Sequence, residues 1–310
     1  MPEAIDIKVL HELDGVVEKE LNRHLSMAKE WFPHEYVPWS QGRDFAFLGG
    51  EDWSPEDSKV SPESREALLV NLLTEDNLPG YHAAIARIMG KEGAWGQWVH
   101  RWTAEENRHG IVIRDFLTVT RAIDPVLLER ARMQHMEIGY EPDHGDKMLH
   151  GLAYVSFQEL ATRVSHRNTG KASGDALCEQ MMQRVAADEN LHMIFYRNLI
   201  GAAFEVVPNE AMKAVLEVVK GFQMPGYTID GFLRKSVAIA NAGIYDLRLH
   251  HDDVLMPVLR KWKVFEMEGL DGEGEKARTE LSEFLANLDA AARRFEERRE
   301  ARRARIAARA

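Results

Sequence analysis

Cysteine is almost missing from this chain: Cys178 is the only one in 310 residues. That excludes an internal disulfide framework and any zinc or iron–sulfur centre built on cysteine. Positive charge is also short, with 39 Lys and Arg against 50 Asp and Glu and a net charge of −11. A general nucleic-acid binder needs the opposite excess. No apolar run approaches the ~20 residues that span a bilayer, and Met1 to Leu10 carries acids and no apolar signal segment. Strand-like alternation is scarce, and no Gly-rich dinucleotide motif is present. What these absences leave is a helical, cytoplasmic protein with no redox cofactor motif of the Rossmann or cysteine kind.

The helical period runs through most of the chain. Gly, Pro and Asp clusters separate the helices at 33–62, 91–93, 141–145, 170–174, 224–231 and 269–274. The expected architecture is all-α and a single domain over residues 1–310, with a helical tail from about 275. An N-terminal helix is expected from Ile7 to Glu30, then a stretch containing Trp31, Trp39 and Trp53. From Ala291 the tail holds eight Arg against three Glu; solvated i,i+4 pairs account for it most simply.

Four central helices place polar groups within their apolar stripes. The first is expected over Pro62 to Met89, where Glu75 shares a face with Leu68 and Leu72. In the second, Ala94 to Ala122, Glu106 and His109 fall on the face of Trp98, Trp102, Ile113 and Phe116. In the third, Lys147 to Asn168, Glu159 aligns with Leu152, Val155, Thr162 and His166. In the fourth, Asp175 to Ile200, Glu189 and His192 align with Val185, Tyr196 and Leu199. Unpaired buried carboxylates cost several kcal/mol each, and four facing one interior repel one another. Cations relieve both problems. Four carboxylates and two imidazoles suit two iron ions.

Glu-x-x-His places both side chains on adjacent turns of one helix face. The motif occurs three times. Glu141–His144 lies in a Pro/Gly loop and reads as chance. Glu106–His109 and Glu189–His192 lie on core stripes, and each follows a helix bearing one Glu at nearly the same distance. One Glu from each of two helices and Glu-x-x-His from each of two others is the general ligand rule of ferritin-like di-iron bundles. Glu75, Glu106, His109, Glu159, Glu189 and His192 are therefore the candidate ligands.

The motifs also resemble those of a known family. Trp102-Thr-Ala-Glu-Glu-Asn-Arg-His109-Gly and Ala187-Asp-Glu-Asn-Leu-His192 are similar to the two iron motifs of the soluble acyl-carrier-protein desaturases of plastids and bacteria. Thr74-Glu-Asp-Asn-Leu-Pro79 and Ser156-Phe-Gln-Glu-Leu-Ala-Thr162 resemble the segments bearing the single glutamates. Arg260-Lys-Trp-Lys-Val264 and Phe295-Glu-Glu-Arg298 extend the likeness toward the C-terminus. The resemblance implies a ferritin-like four-helix bundle with flanking helices, two iron ions on the six residues, and bridging by Glu106 and Glu159. It further implies an electron path through Trp102, Asp188 and His109, a threonine (Thr162) beside the oxygen site, and a homodimer. Leu191 stands where plastid members carry a basic residue, and Tyr81 to Ile88 departs from their lining sequence, so chain length and double-bond position stay open.

The implied reaction is O₂-dependent introduction of a cis double bond into an acyl chain on acyl-carrier protein. Two external electrons are needed, and the implied donor is ferredoxin-like. An acidic carrier needs a local basic surface; Arg234, Lys235, Arg260, Lys261 and Lys263 are the candidates. The competing readings are a di-iron hydroxylase or oxygenase on another substrate, an iron-storage protein, and a purely structural bundle.

Overall fold

In this computed structural model, residues 4–308 are described, and among them no β-strand occurs. Thirteen α-helices follow in chain order: α1 Ala4–Glu12, α2 Asp14–Met27, α3 Pro62–Asp76, α4 Leu78–Met89, α5 Gly93–Val119, α6 Pro125–Ile138, α7 Met148–Ala172, α8 Ala176–Val206, α9 Pro208–Gly221, α10 Phe232–Ala242, α11 Leu247–Leu249, α12 Met256–Trp262 and α13 Gly272–Ala307. A π-helical turn, His250–Leu255, joins α11 to α12.

Local chemistry sets the ends. Ser61 caps α3 by accepting from Ser64 N, with Pro62 at the first helical position. Asp124 caps α6 through Val126 N and Leu127 N, and Asp175 caps α8 through Cys178 N. The helix expected over Pro62–Met89 is two helices. Pro79 has no N–H to donate to the carbonyl of Glu75, and Asn77 N–H donates there instead. The backbone therefore turns immediately after Glu75. The expected N-terminal helix is likewise divided, at Leu13.

Four helices form the centre. α3 packs on α5 and α7, and α8 packs on α7 and α5, closing a square. Gly170 lets α7 approach α8, since a Cβ there would lie 2.9 Å from Met182 Cβ. Gly110 lets α5 approach α3 beside Glu75, where a Cβ would lie 3.1 Å from Asp76 Oδ1. One apolar core joins residues from Val9 to Leu285. A second, around Leu68, Ile113, Phe116 and Met181, closes the other end of the square. The segment between α2 and α3 carries four single 3₁₀ turns. It is pinned by buried Arg121, which donates to Asp57 Oδ2 and Glu51 O while Trp53 Nε1 donates to the Arg121 carbonyl. This pinned segment begins with Trp31, which is buried.

No helix among the described residues is long and apolar enough to cross a membrane.

Candidate metal centre

The six candidate ligands converge inside the square. Glu75 comes from α3, Glu106 and His109 from α5, Glu159 from α7, and Glu189 and His192 from α8; all six are buried. They form two overlapping groups whose ligand atoms lie within 4.8 Å of one another: Glu75, Glu106, His109 and Glu189, and Glu106, Glu159, Glu189 and His192. His109 Nδ1 is 3.4 Å from Glu106 Oε2, 3.5 Å from Glu189 Oε1 and 3.7 Å from Glu75 Oε2. His192 Nδ1 is 2.7 Å from Glu106 Oε1, 3.6 Å from Glu189 Oε2 and 3.7 Å from Glu159 Oε2. Glu106 and Glu189 are common to both groups. The resemblance implied sharing by Glu106 and Glu159; in this geometry Glu159, like Glu75, falls in one group only.

The donor set fits cations. Nδ1 of both imidazoles, Glu106 Oε1, Glu159 Oε2 and both oxygens of Glu189 are buried and make no hydrogen bond. Buried polar atoms are rarely left so, and a group of them facing one space calls for a ligand. Hard carboxylate and borderline imidazole donors suit iron. Burial opposes charge on His109 and His192, yet Glu106 beside His109 and Glu105 beside His192 drive both well above the usual imidazole range. Burial, then the charges of Glu189 and Glu106, push Glu159 well up, while His109, His166 and His192 hold Glu189 well down.

Outside the ligands, an exchange between helices is visible. The acid preceding Glu189, Asp188, faces Nε2 of His109 at 3.5 Å. The acid preceding Glu106, Glu105, accepts from Nε2 of His192 at 2.9 Å. Each motif's leading acid therefore orients the other motif's imidazole, aiming Nδ1 inward. Glu105 also accepts from His24 Nε2 at 2.9 Å and pairs with Arg101 at 2.5 Å. Asp188 accepts from the Trp31 indole at 2.7 Å and from Arg108 at 3.2 Å, and it pairs with Arg184.

Trp31, not Trp102, thus joins Asp188 and His109. Its ring stacks near His109, 6.4 Å between centroids at 14°. Trp102 instead donates to Glu159 Oε1 at 3.0 Å, which places it on the far side of the centre. Thr162 donates to the carbonyls of Glu159 and Gln158 at 3.0 and 3.2 Å. His166 was read only as a stripe residue, yet its Nε2 lies 3.0 Å from Glu75 Oε1 and 3.3 Å from Glu189 Oε1. Burial lowers its pKa, but those two acids outweigh it and raise it to about 9. The signal for Glu105 was present in the sequence: an acid stands directly before the Glu of both core motifs.

A narrow cavity opens beside the centre. Glu75, Glu106, Trp102 and Thr162 form one wall, and Ala84, Ile85, Ile88, Met89, Leu152 and Val155 supply an apolar lining.

Residues 5–309 match the family model described as fatty acid desaturase. The chain belongs to the fatty acid desaturase family. It is 54% identical over 298 residues, 94% of this chain and 88% of the relative, to a Mycobacterium tuberculosis protein named as an acyl-[acyl-carrier-protein] desaturase, DesA1. It is 32% identical to a chloroplastic stearoyl-[acyl-carrier-protein] 9-desaturase of Arabidopsis thaliana, covering 97% of this chain and 80% of that protein. The X-ray structure of the acyl-ACP desaturase DesA2 from Mycobacterium tuberculosis superposes with a TM-score of 0.70 at 30% identity, covering 83% of this chain and 95% of that one. The ferritin-like helical fold and desaturase activity follow from family membership. The storage and purely structural readings fall with it.

Proposed function

We propose that this desaturase introduces a cis double bond into a fatty acyl chain held on acyl-carrier protein. The balanced reaction takes two hydrogens from adjacent CH₂ groups and reduces one O₂ to two waters, consuming two electrons and two protons from outside. Two iron ions held by Glu75, Glu106, His109, Glu159, Glu189 and His192 supply the dioxygen chemistry when bound. The observation that carries this reading is the apolar cavity walled by two of those carboxylates. Oxygen insertion by a hydroxylase is the alternative, and family membership does not favour it.

The residues of the chain do the positioning. Ala84, Ile85, Ile88, Met89, Leu152 and Val155 take hydrocarbon and exclude water. Neither Lys nor Arg is among the described residues lining the cavity. A free carboxylate would have no cation to meet there, which supports a head group held outside by a carrier. Thr162 lines the same space with its hydroxyl already committed to helix carbonyls, which supports a fixed wall more than a mobile proton donor. Electrons from a ferredoxin-like donor would enter along Trp31, Asp188 and His109, because Trp31 donates to Asp188 and stacks near His109, and Asp188 lies 3.5 Å from the His109 ring. Trp102 is not in that series and serves Glu159.

Of the candidate carrier-binding cations, Lys235 is occupied by Glu66 at 2.6 Å. Arg234, Arg260, Lys261 and Lys263 are exposed and remain the proposed surface. The exposed apolar side chains of α6, among them Val126, Leu127, Met133 and Ile138, support a homodimer that covers them. The largest apolar core, which joins residues from Val9 to Leu285, supports one domain, and the buried, lone Cys178 accords with a reducing cytoplasm.

The test is aerobic turnover with a reductant and a panel of acyl carriers, with double bonds located by mass spectrometry. Loss of two hydrogens only in the presence of O₂ is expected. Equal product without O₂, or gain of an oxygen atom, would overturn the proposal.

A further inference from the structure

In a chain with surplus acid, three arginines share one cleft without a carboxylate partner. Arg163 and Arg167 project from α7, and Arg197 from α8, into a cavity closed by Pro257 and Val258 beyond the π-helical turn. Among the described residues none of the three forms an ion pair or donates a side-chain hydrogen bond, and Arg197 Nε is buried with no partner. Four other arginines of the fold are each paired with an acid: Arg108 with Asp188, Arg121 with Asp57, Arg132 with Asp76 and Arg248 with Asp289. Burial lowers the pKa of Arg163, with Arg167 adding repulsion that Asp253 offsets in part, and burial with Arg23 lowers that of Arg197 against the opposing charge of Glu20. Asp253 also lines the cleft but forms no ion pair with the three arginines.

Three guanidinium groups line one cleft in which the single acid, Asp253, makes no ion pair with them, and their planar forks match the oxygens of phosphate. Leu160, Met193 and Val258 add an apolar wall, which a bare ion does not need and an organic group would use. We propose that this cleft binds the phosphate group of a small phosphate ester. The ester is freely diffusing and is not the carrier's prosthetic arm. The faces of α7 decide this: Val155, Gln158 and Thr162 line the acyl cavity, while Arg163, Val164 and Arg167 line the cleft, so the helix stands between them.

The experiment is thermal unfolding of the iron-loaded enzyme with glycerol 3-phosphate, against glycerol and sodium chloride at matched ionic strength. A saturable rise in Tm is expected for the natural chain. In the double variant Arg163→Gln/Arg197→Gln the midpoint concentration should rise more than tenfold, each charged hydrogen bond being worth about 1.5–3 kcal/mol. In phosphate-free buffer the variant should melt no lower than the natural chain, because it has lost two uncompensated charges. An equal response in both proteins, or a variant that is less stable without phosphate, would overturn the proposal. So would a change in oligomeric state on substitution, which would assign the arginines to a second copy. Pantetheine 4′-phosphate should protect no better than glycerol 3-phosphate; markedly tighter binding would keep the phosphate chemistry but overturn its assignment to a free ester. None of these readings depends on the acyl substrate proposed above.

Discussion

The two imidazoles of the centre are held in the same way and connected to different things. His109 and His192 each aim Nδ1 inward and Nε2 at an acid one residue before the partner motif's glutamate. Beyond that acid the sides diverge. Asp188 leads to Trp31, which sits in a pinned loop with Arg108 and Arg184 near its ring at 4.8 and 5.9 Å from its centroid. Glu105 leads to His24 on α2, which meets Trp98 edge-on at 5.0 Å within the core. One side continues to an indole bordered by Arg108 and Arg184, and the other to an imidazole packed on Trp98 and to the partly exposed Arg101. A repeated motif can thus orient two imidazoles alike while linking only one of them to an indole.

The largest effects should come from the groups the two sides share. Glu189→Ala or Glu106→Ala should remove both ions and all turnover, whereas Glu75→Ala or Glu159→Ala should weaken mainly one; iron content per chain measures this. Next, Asp188→Asn and Glu105→Gln should each lower metal affinity by about 10- to 100-fold, the usual loss for partners of ligating histidines. The symmetry should then break. Trp31→Phe should slow reduction severalfold at unchanged iron content, while Trp102→Phe should leave the reduction rate near that of the natural chain. Stopped-flow reduction of the ferric protein distinguishes the two. Equal slowing by both would restore Trp102 to the electron path.

The smallest effect should come from a site on neither side. Burial, aided by His251, lowers the pKa of His250 to about 4 from an ordinary 6.5. The unfolded chain therefore binds its proton first as pH falls. This contribution to stability is complete above 6.5 and is lost progressively between 6.5 and about 4. Denaturant titrations across that window should show the slope, and His250→Phe should flatten it whether or not iron is bound.

The convergence of the six candidate ligands was legible because a carboxylate on an apolar helical stripe is conspicuous, and four such stripes recur in order. The helix types were legible for the same reason. Pairings across helices were not. Periodicity says that Glu106, Glu159 and Glu189 point inward but gives no register between helices, so which two are shared had to come from packing. Trp31 lies 157 positions from Asp188, in a segment of 3₁₀ turns without a period to read. His166 showed only as a core polar residue. The break after Asp76 was foreseeable, since Pro79 cannot donate to Glu75, but the unbroken apolar pattern on both sides masked it.

Crystals loaded with ferrous ion and measured at the iron absorption edge would test the centre most directly. Two anomalous peaks are expected, each within bonding distance of Glu106 and Glu189, with Glu75 and His109 on one and Glu159 and His192 on the other. A single peak, or a pair bridged by Glu159 with Glu189 confined to one ion, would contradict this assignment.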